Sequence, residues 1–213
     1  MKVFAITGGI GTGKSAVARM FATHGAQIAS ADEDARAVLE PGSPTLAAVQ
    51  KAFPEAFSSE GTLQRATLGG IIFQNPEARQ TLNALMHPAI RQRMRMVIDA
   101  ARHTEGPGVL LYEVPLLYEG GLETWFDGVI VAYAPPEVQA DRLQERERTA
   151  GRPLLTPQQL QDRLQSQMPV EEKARRADYV IRTDSPFTET EAQVRALWEN
   201  WQNQGWVAHA SQA

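Results

Sequence analysis

Residues 8–15 read GGIGTGKS, and they lie between the apolar tetrapeptide VFAI at 3–6 and SAVARMFAT at 15–23, where Ala16, Val17, Met20 and Phe21 fall at helical spacing. Gly8, Gly13, Lys14 and Ser15 satisfy G-x-x-x-x-G-K-[ST], a loop that folds its backbone amides around a polyphosphate. Gly9 and Gly11 add the backbone freedom that keeps Cβ atoms out of the way. A short buried strand that delivers this loop into a helix N-terminus sets unpaired N–H groups and the positive end of the helix dipole on one anion. Lys14 then reaches the β/γ-phosphates, and the Ser15 hydroxyl is a ligand for Mg²⁺. A glycine-rich turn followed by a chance Lys-Ser accounts for neither the strand before nor the helix after.

Working outward, Gly25 stops the first helix, and AQIASA at 26–31 reads as a second short strand ending at Asp32. From there to about Arg102 the pattern is mainly helical, broken at Pro41-Gly42, Pro54, the SSEGT turn at 58–62 and Asn75-Pro76. VLLYEV at 109–114, GVIVAY at 128–133 and DYVIR at 178–182 are further apolar strands. Between them lies a charged helix at 137–149, then a helix whose start is signalled by Thr156 as N-cap, Pro157 first and Gln159 three after the cap. A closing helix spans 189–201, and its tryptophans, with Trp125 and Trp206, read as packing residues. Strands alternating with helices predict an α/β fold with a parallel sheet covered on both faces.

Composition narrows the function. A chain of 213 residues, 43% hydrophobic, is large enough for a sizeable core. Its net charge of −4 provides no global basic footprint, so no nucleic acid is expected as a partner and anionic substrates must meet local positive charge. Without cysteine there is no disulfide framework and no thiol nucleophile. No apolar run approaches the roughly 18 residues that span a bilayer, and no signal pattern precedes the loop, which predicts a cytoplasmic protein with no membrane association. Nothing in the sequence calls for an obligate protein partner.

Ligands of such a sheet gather beyond the carboxyl ends of the strands. Asp32 lies just past the second strand, and Glu113 and Glu119 lie at the end of the third. A carboxylate there can accept the proton of an attacking hydroxyl or hold a magnesium-bound water. Asp32 fits equally well as an N-cap of the next helix. Asp34 reads as a solvated helix residue or a supplementary polar contact.

TGGIGTGKS, ADEDAR followed by EPG, EGTLQRATLGGIIF, LNALMHPAI and VPLLYEG stand in an order and spacing that resembles the dephospho-coenzyme A kinase family, closely to about residue 135 and more loosely over 137–182. GTLQR, LNALMHP and PLLYE discriminate far better than the phosphate loop. The resemblance implies a P-loop, nucleotide-kinase-like parallel five-stranded sheet flanked by helices. Its core would be 1–31, 103–136 and 174–213, with a mainly helical dephospho-coenzyme A-binding lobe at 32–102 and a helical lid at 137–173. It implies ATP-dependent phosphorylation of the ribose 3′-hydroxyl of dephospho-coenzyme A, the last step in making coenzyme A. Gly9, Gly11, Thr12, Gly13, Lys14 and Ser15 would hold ATP, with Mg²⁺ on Ser15.

Carried over by position, the resemblance makes Asp32 the catalytic base. Arg36 lies four residues on, able to contact substrate or simply to pair with Asp32. Arg65 is divided between a substrate phosphate and a local ion pair, and His87 between substrate contact and shaping the start of a helix at Pro88. Glu113 joins the substrate set. Ile71, Ile72 and Phe73 read as core of the lobe, part of whose wall would receive the pantetheine arm. Arg142, Arg146 and Arg148 are the lid candidates. Arg142 and Arg146 share a helix face from which two guanidiniums would reach the transferring phosphate or its neighbours, Arg142 acting with Lys14 in catalysis; a solvated helix laced with Asp141, Glu145 and Glu147 pairs competes with that reading. Arg163 and Gln167 are further lid candidates. The chain departs from the family at Glu113, often Asp, and at Thr183-Asp184, commonly Asn. Another small-molecule kinase would share the loop and differ in its acceptor pocket. A GTPase switch would carry N-K-x-D, which is absent from the sequence.

Overall fold

The structure, a computed structural model, describes residues 1–208 and divides the chain into two compact units, Met1–Ser30 with Ala100 onward, and Ala31–Asp99. In the first unit β1 (Lys2–Gly8), β2 (Gln27–Ser30), β3 (Val109–Glu113), β4 (Gly128–Tyr133) and β5 (Tyr179–Arg182) form one sheet of order β2-β3-β1-β4-β5. Every pairing is parallel, as the strand and helix alternation requires. Register sets Ile6 and Ser30 beside Glu113, Gly8 beside Ala132, and Tyr133 beside Arg182. All five carboxyl ends therefore open on one edge of the sheet.

The helices of this unit are α1 (Lys14–Thr23), α6 (Pro136–Thr149), α7 (Pro157–Gln165), α8 (Val170–Arg176) and α9 (Phe187–Asn203). Phe4, Ile6, Leu111, Ile130 and Ile181 alternate along their strands toward one sheet face, where Val17 and Phe21 of α1 meet Trp198 and Trp201 of α9. Trp201 is fully buried and stacks on Phe4 with ring centroids 4.6 Å apart. The alternate residues, Val3, Ala5, Leu110, Tyr112, Val129 and Val131, are also buried, as expected of parallel strands covered on both faces. Thr156, Pro157 and Gln159 form the capping box that the sequence announces, with both reciprocal hydrogen bonds in place.

The second unit holds α2 (Ala31–Ala37), α3 (Pro44–Ala52), α4 (Arg65–Gln74) and most of α5 (Pro76–His103). Its own core gathers Val38, Val49, Phe53, Leu68 and Leu82, with Ile71 and Ile72 packed against them. Phe73, expected in that core, is instead 85% exposed, because the run Ile71-Ile72-Phe73 covers more than the buried stripe of one helix. Pro88, expected to mark the start of a helix, lies inside α5. The long apolar stripe holds the helix together on both sides of the backbone hydrogen bond that proline removes.

Candidate active site

The phosphate loop begins where β1 ends. Gly11 and Gly13 take φ of 76° and 81°, a region that residues with a Cβ rarely adopt. A Cβ on Gly11 would lie 2.9 Å from the backbone oxygen of Gln139, and one on Gly9 would lie 2.5 Å from its Oε1. Helix α6 thus backs the loop, and buried Gln139 is itself fixed by donating from Nε2 to the Ala134 carbonyl at 2.8 Å. The Thr12 side chain is turned inward, its hydroxyl donating to the Gly9 carbonyl at 2.9 Å. Thr12 shapes the loop rather than offering a hydroxyl to a ligand.

Gly13 is the N-cap of α1; no side chain caps that end, and the first turn holds no acidic residue. The N–H groups of Ile10, Gly11 and Gly13 donate to no described residue. Unanswered backbone donors at a helix start suit the oxygens of a phosphate chain. Lys14 bends over the loop, its Nζ donating to the carbonyl of Gly9 at 3.0 Å and of Gly8 at 3.4 Å. The Ser15 hydroxyl donates to Glu113 Oε2 at 2.7 Å. A hydroxyl beside a carboxylate is an oxygen donor set of the kind Mg²⁺ takes when phosphates and waters complete its shell. No group of three or more His, Cys, Asp or Glu that could hold a metal gathers among the described residues.

Arg142 projects from α6 onto the loop, Nη1 donating to the Gly11 carbonyl at 3.2 Å and to Thr183 Oγ1 at 3.1 Å, while Nη2 donates to the Thr183 carbonyl. Arg146, one turn on, lines with Gly13, Val17, Thr183, Ser185 and Phe187 a cleft of about 350 Å³ beside the loop. That volume suits a nucleoside. Arg148 pairs with Glu145 on the surface. Further on, Glu147 is buried and holds Arg152 at 2.6 Å and Arg163 at 3.1 Å. The hydrogen bond from Arg152, helped by Arg163, draws the Glu147 carboxyl from its ordinary 4.5 down to about 2. Gln144 exchanges two hydrogen bonds with the Leu155 backbone, at 2.8 and 2.9 Å. The link between α6 and α7 is therefore fastened by side chains, and Arg163 is engaged there. Gln167 keeps its buried Oε1 without a hydrogen-bond partner among the described residues. Arg182 holds the Asp184 carboxylate in a bidentate pair, at 2.5 and 3.2 Å, and thereby below the usual carboxylate range.

Asp32 and Arg36 are exposed on α2, Arg65 is exposed at the start of α4, and His87 is exposed on α5, all in the second unit. Arg36 makes no ion pair with a described residue. Asp34, read as solvated or supplementary, is buried and pairs with Arg93 at 3.3 Å, because α2 turns that face onto its own unit. Glu119, one of the three acidic positions at the strand ends, is committed elsewhere. It takes Lys173 Nζ at 2.9 Å and the Met168 N–H at 2.8 Å. Lys173 is 0% exposed, and a buried ammonium requires such a partner. Sequence reasoning missed Gln139 and Lys173. Gln139 stands three residues before Arg142 on one helix face, a legible signal; Lys173 sits in an ordinary charged run.

A phosphate loop on a parallel sheet of this order, with a hydroxyl and carboxylate at its foot and arginines of a following helix against it, defines a P-loop kinase. The chain belongs to the dephospho-CoA kinase family, whose model matches residues 2–189. It is 42% identical over 198 residues to the dephospho-CoA kinase of Syntrophotalea carbinolica, covering 92% of this chain and 90% of that protein. Against the dephospho-CoA kinase of Anaeromyxobacter dehalogenans it is 43% identical, covering 85% and 83%. The solved structure of the Campylobacter jejuni dephospho-CoA kinase superposes with a TM-score of 0.69 at 26% identity, over 95% of this chain and 98% of that one.

Proposed function

We propose that the chain transfers the γ-phosphoryl group of ATP to the ribose 3′-hydroxyl of dephospho-coenzyme A, giving coenzyme A and ADP, the final step of coenzyme A biosynthesis. Family membership across residues 2–189 is the observation that carries this reading. The unanswered amides of the loop and the Ser15–Glu113 pair support the ATP side of it. In the reaction the bond from the ribose oxygen to the γ-phosphorus forms as the bond from that phosphorus to the β–γ bridging oxygen breaks, and ADP leaves with the electron pair.

Asp32 stands two residues past the end of β2, whose last residue registers with Glu113. In this reading its carboxylate accepts the proton of the 3′-hydroxyl. Lys14, Arg142 and Arg146 steady charge on the phosphates, and Arg142 also holds the Gly11 carbonyl of the loop. Ser15, with Glu113 beside it, would hold Mg²⁺, which would supply neutralisation of the phosphate charge. Arg36, Arg65 and His87 orient the acceptor. The segment 137–173 serves as a lid that keeps water from the γ-phosphate. A cysteine-free chain with no described helix able to cross a membrane is compatible with a cytoplasmic setting.

The test is ADP release from Mg-ATP with dephospho-coenzyme A, AMP, shikimate or gluconate as acceptor. Turnover confined to dephospho-coenzyme A is expected. Selective turnover of another acceptor overturns the substrate assignment.

A further inference from the structure

We propose that Thr183 is a positioning residue for nucleotide binding, whose hydroxyl aims the Gly13 N–H into the phosphate loop by holding the carbonyl of Thr12. Thr183 follows β5 directly and is buried. Its backbone N–H donates to the Tyr133 carbonyl at the end of β4, at 2.8 Å. Its hydroxyl lies 2.7 Å from the Thr12 carbonyl and 3.1 Å from that of Tyr133, and it receives Arg142 Nη1 at 3.1 Å. A hydroxyl has one proton to give. Tyr133 already has the backbone donor, so the shorter contact, to Thr12, takes the proton. Accepting from a guanidinium polarises the hydroxyl and strengthens that donation.

The consequence follows from peptide geometry. In a planar trans peptide the carbonyl and the next N–H point opposite ways. Drawing the Thr12 carbonyl toward Thr183 therefore turns the Gly13 N–H away from Thr183, and that N–H donates to no described residue. Gly13, with its positive φ, would otherwise let this peptide rotate. Arg142 fastens the neighbouring Gly11 carbonyl and the Thr183 carbonyl at the same time. Threonine can do this where an asparagine amide, longer by one atom, would place its polar groups differently.

This inference rests on the reading that the loop binds ATP, and the experiment separates the two. Calorimetric titrations with ADP and with adenosine are made on wild type, Thr183→Val, Thr183→Ala and Thr183→Ser, with a melting curve for each. Loss of the hydroxyl is expected to weaken ADP binding about tenfold in the valine and alanine variants, and serine is expected to restore it to within about twofold of wild type. Binding of adenosine, which has no phosphate, should be weakened far less than that of ADP in each variant. An equal loss for ADP and adenosine would make Thr183 a reader of the nucleoside and overturn the proposal. Lower melting temperatures with unchanged ADP affinity would reduce it to packing and overturn it as well. Failure of the wild type to bind ADP would instead sink the nucleotide site itself.

Discussion

Thr12, at the heart of the phosphate loop, is wholly buried, whereas Asp32, the carboxylate proposed to accept the proton, is exposed on α2. The contrast extends to their neighbours. Around Thr12 the chain is held by glycine conformations, by Gln139 pressed against the loop, and by Arg142 and Thr183 on its carbonyls. Around Asp32, Arg36, Arg65 and His87 the helices are held from behind by their own core, and the side chains in question face outward. One region fixes backbone groups against phosphate; the other presents side chains on helices. The first tolerates almost no added atom, and the second is altered chiefly through the chemistry of single side chains.

That difference can be broken or sharpened by substitution. The largest effect is expected at Asp32: in Asp32→Asn, kcat should fall about a thousandfold while ADP affinity, measured by calorimetry, stays as in wild type. An unchanged kcat would show that the exposed carboxylate takes no part. Next comes Gly11→Ala. Its positive φ and the 2.9 Å approach to Gln139 predict a loss of about 2 kcal/mol, seen as a melting temperature lower by roughly 4–8 °C. A variant as stable as wild type would mean that the loop is not held by close packing.

A smaller effect is expected where the same unit is fastened by charge. The Glu147 carboxyl is held at about 2 against an ordinary 4.5. Its stabilising contribution is thus complete above 4.5 and is lost as pH falls through about 2. Amide protection in α7, taken relative to the intrinsic exchange rate at each pH, should fall over that acid window in wild type and show no such transition in Glu147→Gln; parallel curves would remove Glu147 as the fastening. The smallest effect has the opposite sign. Gly70 lies inside α4 with nothing within 4 Å of an added Cβ, so Gly70→Ala should raise stability by about 0.5–1 kcal/mol, read from denaturant unfolding.

The same contrast explains how much could be read from the sequence. VFAI, GGIGTGKS and SAVARMFAT specify strand, loop and helix within a few residues of each other, and the observed β1, loop and α1 follow that local plan. The five strands and the capping box at Thr156 were equally legible, since apolar runs and cap chemistry act at short range. Phe73 and Asp34 were not. Which face of a short helix turns inward depends on partners distant in the chain: Phe73 turned outward against expectation, and Asp34 took the polar-contact alternative rather than the solvated one. Glu119 failed for a related reason: its partner Lys173 is far away in sequence and carries no motif. Glu113 stood out through strand-end position, and the structure joins it to Ser15. Thr183 drew notice as a departure from relatives, while its hydrogen bonds to the loop depend on β4 and β5 lying side by side.

The most direct test of the account is the position of the transferred phosphate. Dephospho-coenzyme A is incubated with Mg-ATP and the wild-type protein, and the product is examined by phosphorus–proton correlation NMR. The account predicts one new monoester, coupled to the ribose 3′ proton and formed in step with ADP. A phosphate on another oxygen, or free phosphate released with no ester formed, would contradict it.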